Sequence, residues 1–225
     1  MVEHPAGLRV LARQQVRVDP DIVHHEWYTM SGLLTMLWHG DPAAERVVVA
    51  CGGAMGGLLG PAGGLYHRLG ERLAAEGIAT IRLSYRRPND LPDCVEDLLA
   101  AAATAARQGA RRIVTVGHSF GGAVALQAGI AMGSTCAGVV TLSTQSAGCE
   151  QAHLLGDTPL LLLHGAADRV LAPIASEAVH RLAGGHGELV LLAGADHLLA
   201  EAAAEVEDRL AAWIPARLDE HAPSD

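Results

Sequence analysis

The chain has 225 residues, 16 basic against 25 acidic, for a net charge of −9, and half of its residues are apolar. That length and composition suit one domain with a full hydrophobic core, expected to span residues 1–225. The charge argues against nucleic acid and anionic membrane as partners, since either needs a positive face. All 16 basic residues are arginine, which rules out Walker-A phosphate binding, a pyridoxal Schiff base and a serine–lysine dyad, each of which needs an amine.

No apolar run approaches the ~20 residues of a membrane-spanning helix. The start, Met1-Val2-Glu3-His4-Pro5, lacks the basic stretch and apolar core of a signal peptide, so a cytoplasmic protein is expected. Cys51, Cys94, Cys136 and Cys149 show no C-x-x-C spacing and read as small buried residues or free thiols.

Residues 1–45 read as strands and turns, with short strands at 16–18 and 33–38 and with Trp27 and Tyr28 as packing residues. His24 and His25 are adjacent, so their side chains diverge on a helix or a strand, and no third ligand has a fitting spacing. No metal is expected. From residue 46 the pattern becomes regular. The β-branched run 47–51 suits a strand covered on both faces, and a glycine-rich loop follows it. A helix is predicted over 64–75, stopped by Gly77, then a strand over 78–85 and a loop over 86–90. The alanine-rich stretch 91–108 is predicted helical, with Pro92 and Asp93 in its first turn and Gly109 just beyond its end. Strands at 113–116, 137–144, 159–164 and 189–192 alternate with helices at 122–132, 174–183 and 199–217, and residues 219–225 read as a frayed tail. Such alternation specifies an α/β fold with a mostly parallel sheet and right-handed crossovers.

The strand at 113–116 runs without a loop through Gly117-His118-Ser119-Phe120-Gly121 into a helix. A G-x-S-x-G turn between strand and helix is a nucleophile elbow, in which the serine sits on a strained bend with its hydroxyl exposed. Glycines two residues to either side give strand and helix room to close together. A serine hydroxyl is a poor nucleophile until an imidazole can take its proton, and the imidazole needs a carboxylate to fix its tautomer. Ser119, Asp168 and His197 form the set in which each member follows a predicted strand, and ligands of open α/β sheets sit beyond such strand ends. Asp196 adjoins His197 too closely to face its Nδ1, and Asp157 precedes its strand. His118 points away from the serine hydroxyl and reads as an orienting or packing residue, and His164 as a structural hydrogen-bonder.

Three segments carry a family resemblance: the elbow, His164-Gly165-Ala166-Ala167-Asp168 with the following loop to Pro173, and Gly194-Ala195-Asp196-His197. In them, and in the chain order Ser, Asp, His, the sequence from about residue 46 onward resembles an α/β-hydrolase. The resemblance implies an oxyanion hole made by the N–H of Phe120 and one from the glycine-rich loop. Members usually open that loop with His-Gly, where this chain has Cys51-Gly52. Gly53 is the expected second donor and Ala54 the alternative. Only residues 145–158 are available where hydrolases of this fold commonly insert a lid, too few for a helical cap. The site is therefore expected to be open, walled by Met55, Leu58, Leu171 and Leu198, in the manner of dienelactone-hydrolase-like proteins and small carboxylesterases. The expected function is a serine hydrolase cleaving small-molecule esters of short acyl groups through an acyl-enzyme, without a cofactor. A thioesterase or small-amide hydrolase shares that chemistry, and a non-catalytic ligand-binding protein is the alternative of another class.

Overall fold

The computed structural model describes residues 2–3 and 8–220. An antiparallel meander comes first, with β1 (Val2–Glu3), β2 (Arg9–Asp19), β3 (Ile22–Thr29) and β4 (Gly32–His39) each paired to the next. Two short strands were expected in this region, and three long ones are present. The reason is the exposure of β2, of which only Val10 is buried. A strand wetted on both faces needs no apolar alternation, so Arg13, Gln14 and Gln15 give no period-2 signal. His24 and His25 sit side by side on β3, opposite Leu37 and Met36 of β4, and their rings take different surroundings. His24 reaches toward Glu26 at 3.9 Å, while His25 lies 5.9 Å from the ring of Trp38. Trp27 is buried under the guanidinium of Arg13, whereas Tyr28 is exposed.

Strands and helices then alternate as β5 (Arg46–Cys51), α1 (Pro61–Ala74), β6 (Ala79–Ser84), α2 (Leu91–Gln108), β7 (Arg112–His118), α3 (Phe120–Met132), β8 (Cys136–Leu142), β9 (Leu160–Gly165), α4 (Ile174–Leu182), β10 (Glu188–Leu192) and α5 (Ala203–Asp219). The sheet order is β1-β2-β3-β4-β6-β5-β7-β8-β9-β10, parallel from β6 to β10 and joined to the meander by the antiparallel pair β4–β6. Residues of α1 and α5 share one apolar core with one face of the sheet, and residues of α2, α3 and α4 share the other. Both faces being covered explains why β8 and β9 are buried at every position.

Local signals account for most boundaries. Asp90 caps α2 by accepting from the Asp93 N–H at 3.3 Å, and Gly109 ends that helix. Helix α1 is assigned from Pro61, but Ala62, Gly63 and Gly64 hold φ values of 52, 64 and 92°, so its right-handed run starts at Leu65. Part of that left-handed turn is fixed by the Ala62 N–H, which donates to the Leu198 carbonyl at 2.7 Å. The last helix starts at Ala203 rather than 199, because a short 3-10 turn, Ala200–Ala202, precedes it. Asp219 is its final residue, and the remainder of the expected frayed tail, from 221, lies outside the described residues, as does most of the start that was read against a signal peptide. Among the described residues no helix is long and apolar enough to cross a membrane.

Strand β5 lies between β6 and β7, so the connections leaving β5 and β7 turn to opposite faces of the sheet. A crevice opens at such a switch point, at the carboxyl ends of the strands. The loop after β5 and the start of α3 meet there.

Candidate active site

Strand β7 passes into α3 at a single residue, Ser119, whose backbone stands at φ 56° and ψ −120°. A left-handed non-glycine residue carries strain of roughly 1–3 kcal/mol. The surroundings hold it: the Ser119 N–H donates to the Leu142 carbonyl at 2.8 Å, and its own carbonyl accepts from the Gly122 N–H at 3.0 Å. A Cβ on Gly117 would lie 1.8 Å from the Gly121 carbonyl oxygen, and one on Gly121 would lie 2.3 Å from the Gly52 carbonyl oxygen. Backbone occupies both spaces, so neither position admits a side chain.

The loops after β9 and β10 bring two further groups to this bend. His197 Nε2 lies 3.1 Å from Ser119 Oγ, and His197 Nδ1 lies 2.7 Å from Asp168 Oδ2. The other oxygen, Asp168 Oδ1, accepts the N–H groups of Val170 and Leu171 at 2.8 Å each. Burial pushes the Asp168 carboxyl up, but the hydrogen bonds from His197 and from the Leu171 and Val170 N–H groups outweigh it and leave it below the usual carboxylate range. This acid therefore stays ionised opposite the imidazole. With its Nδ1–H held there, Nε2 presents a lone pair to the serine hydroxyl, an arrangement able to withdraw the hydroxyl proton.

Neighbouring groups take other positions. His118 Nε2 lies 3.0 Å from the His197 carbonyl, and the two rings are 4.9 Å apart. Burial pushes His118 down to about 4, so it is neutral, donating Nε2–H to the backbone of His197. Asp196 accepts the Arg169 N–H at 2.9 Å, the Arg169 Nη2 at 2.8 Å and the N–H of His197 itself at 2.8 Å. These bonds hold its carboxyl down to about 2. Asp196 thus ties together the two loops that carry Asp168 and His197.

On the far side of Ser119 lies the loop after β5. A Cβ on Gly53 would stand 3.5 Å from the Cβ of Ser119, so the Gly53 backbone borders the serine side chain. Two buried phenols fix the peptides before it. Tyr66 donates to the Cys51 carbonyl at 2.8 Å and Tyr85 to the Gly52 carbonyl at 2.9 Å. Because the peptide is planar and trans, holding the Gly52 carbonyl also fixes the opposite direction of the Gly53 N–H. The Phe120 N–H belongs to the first turn of α3, where donors have no intrahelical acceptor. Neither tyrosine was singled out from the sequence, since each acts on backbone many residues away. Cys51 is fully buried against the Gly121 carbonyl, and burial pushes its thiol up to about 12. All four cysteines are free and buried.

These residues border an open cleft of about 490 Å³, lined by residues 52–61 with His118, Ser119, His197 and Leu198. Met55, Leu58 and Leu198 are in its wall. Leu171 is not. Its backbone is used instead to hold the acid loop, its N–H bound to Asp168 and its carbonyl to His164. Residues 145–158 contain only a 3-10 turn, Ala152–Leu155, and build no cap.

No family model and no curated protein matches the sequence. Solved structures match over nearly the whole chain. Dienelactone hydrolase from Anabaena variabilis superposes with a TM-score of 0.71 at 18% identity, over 91% of this chain and 98% of that one. Est1E from Butyrivibrio proteoclasticus gives 0.70 at 15% identity, over 92% and 99%. XC6422 from Xanthomonas campestris, described as an α/β serine hydrolase without a lid, gives 0.69 at 16% identity, over 89% and 98%.

Proposed function

On the fold of a lidless α/β-hydrolase, we propose that this chain is a serine hydrolase that cleaves carboxylic esters of small or short acyl groups through an acyl-enzyme. The observation that carries the reading is the continuous contact from Asp168 through His197 to the hydroxyl of Ser119 at the elbow. In the first half-reaction Ser119 Oγ attacks the ester carbonyl carbon and His197 Nε2 takes the hydroxyl proton. The N–H groups of Phe120 and Gly53 hold the resulting oxyanion, at the positive end of α3. Collapse breaks the bond to the leaving alkoxide, which receives the proton from His197. Water then adds to the acyl-enzyme with His197 again as base, and the tetrahedral adduct releases the carboxylic acid and free Ser119. Asp168 remains a carboxylate throughout, orienting the imidazole and balancing its charge.

The test combines labelling and turnover. A fluorophosphonate should label one site per chain, lost in Ser119→Ala, and p-nitrophenyl acetate should be turned over many times with an initial burst of nitrophenolate. Labelling without repeated turnover would favour a ligand-binding protein of this fold. Absence of both would sink the reading.

A further inference from the structure

His164 is fully buried at the carboxyl end of β9, four residues before Asp168, and the mechanism above does not use it. A buried histidine is commonly a core residue whose ring nitrogens are satisfied by nearby backbone. This one does more. Its Nε2 bonds the Leu171 carbonyl at 2.9 Å, and Asp168 Oδ2, the same oxygen that receives His197, lies 3.2 Å from that nitrogen. A carbonyl acceptor at Nε2 requires the proton to be there, which leaves Nδ1 as a lone pair. Opposite Nδ1, at 2.6 Å, is the hydroxyl of Ser176 in the first turn of α4, itself fully buried. The hydroxyl donates to Nδ1 and so selects the tautomer.

We propose that His164, with its tautomer set by Ser176, is a positioning residue that locks the Asp168 carboxylate in the orientation His197 requires. A carboxylate offers about four lone-pair sites. Asp168 Oδ1 accepts the N–H groups of Val170 and Leu171, and Oδ2 accepts His197 Nδ1–H with His164 Nε2 packed 3.2 Å from it. Both side chains are fully buried, so the His164 ring walls off Oδ2 from water and from rotation, and the line of contact runs from α4 through Ser176, His164, Asp168 and His197 to Ser119. His164 also grips the Leu171 carbonyl, so the ring that packs against the carboxylate holds the loop whose N–H groups bind it. Besides these two imidazoles, the titratable groups near Asp168 are His118, whose charge would interact with both Asp168 and His164, and Arg169, which is turned to Asp196.

The experiment compares His164→Leu, His164→Gln and Ser176→Ala. Its first readout is the low-field proton resonance of His197 Nδ1–H bound to Asp168, and its second is ester turnover. Only the second rests on the proposed function, so the resonance decides the inference even where turnover fails. His164→Leu should shift or broaden the resonance and lower kcat about ten- to a hundredfold, the scale of an ångström of misplacement, with KM little changed. His164→Gln keeps an N–H near the Nε2 position and should recover most of both. Ser176→Ala should move the resonance in the same direction by less. A folded His164→Leu protein with the wild-type resonance would overturn the proposal, as would a His164→Gln protein no better than His164→Leu. If His164→Leu does not fold, an unmoved resonance in Ser176→Ala overturns it equally.

Discussion

Asp168 carries the clearest linkage between ionisation and stability at the scale of single residues. Its carboxyl is held below the usual range in the folded chain, so the folded state binds this proton less readily than the unfolded one. The stabilisation is therefore present above the unfolded value of about 3.9 and is lost as pH falls through the folded value. Urea denaturation at about pH 5 and at about pH 2.5 should show a loss of stability that is smaller in Asp168→Asn; equal losses in both proteins would place the acid sensitivity elsewhere. Ser119 and His197 make a kinetic prediction. Ser119→Ala and His197→Ala should each lower kcat by several powers of ten, and the double variant should be little worse than either, because groups acting as a unit are not additive. Additive losses would contradict the proposed roles. These three residues were legible because each follows an apolar strand and each residue type is needed by one piece of chemistry. His164, Asp196, Tyr66 and Tyr85 were not legible in the same way. Their importance lies in which distant carbonyl or carboxylate each one meets, and no spacing in the sequence encodes that.

Elements are fastened to one another by a few polar groups as well as by their apolar faces. Arg86, just past β6 and almost wholly buried, binds Asp97 and Glu96 of α2 and reaches Ser31 in the turn between β3 and β4. Asp97 is fully buried and also accepts the Arg86 N–H at 2.9 Å. Removing one partner of a buried pair leaves an uncompensated charge, which costs about 3–5 kcal/mol. Asp97→Ala should therefore lose stability on that scale in equilibrium urea unfolding, and a loss under about 1 kcal/mol would mean that Glu96 alone suffices. The alternation of strands and helices after residue 46 was readable because buried parallel strands are continuous apolar runs and the helices between them carry end signals such as Asp90 and Gly109. Strand β2 was not, for it buries almost nothing. The left-handed turn at 62–64 was hidden too, because it depends on Leu198, far along the chain, to receive the Ala62 N–H.

Over the whole molecule the net charge is −9, and among the described residues the wall of the cleft contains no charged side chain other than what the histidines acquire. Such a site offers an anionic acyl group no partner, and an open wall limits what an apolar one gains. A burying cavity would return about 0.8 kcal/mol per CH₂, so kcat/KM would climb with chain length until it was full. Here the gain should stop early, and p-nitrophenyl esters of about two to four carbons should be preferred to those of about eight or more. Specificity still rising at long chains would point to a lid supplied by another subunit or to a deeper tunnel. The sheet itself is unequal. Strands β5, β7, β8 and β9 are paired on both sides and covered on both faces, whereas β2 is wetted along nearly its whole length and, among the described residues, has only β3 beside it beyond Val10. Amide protons should therefore exchange with deuterium at two tempos, those of the central strands only on global unfolding and those of β2 through local openings. Equal protection of β2 and β8 would refute this. Ser119, Asp168 and His197 all follow strands from β7 onward, so the proposed chemistry should persist while the first strands of the chain breathe.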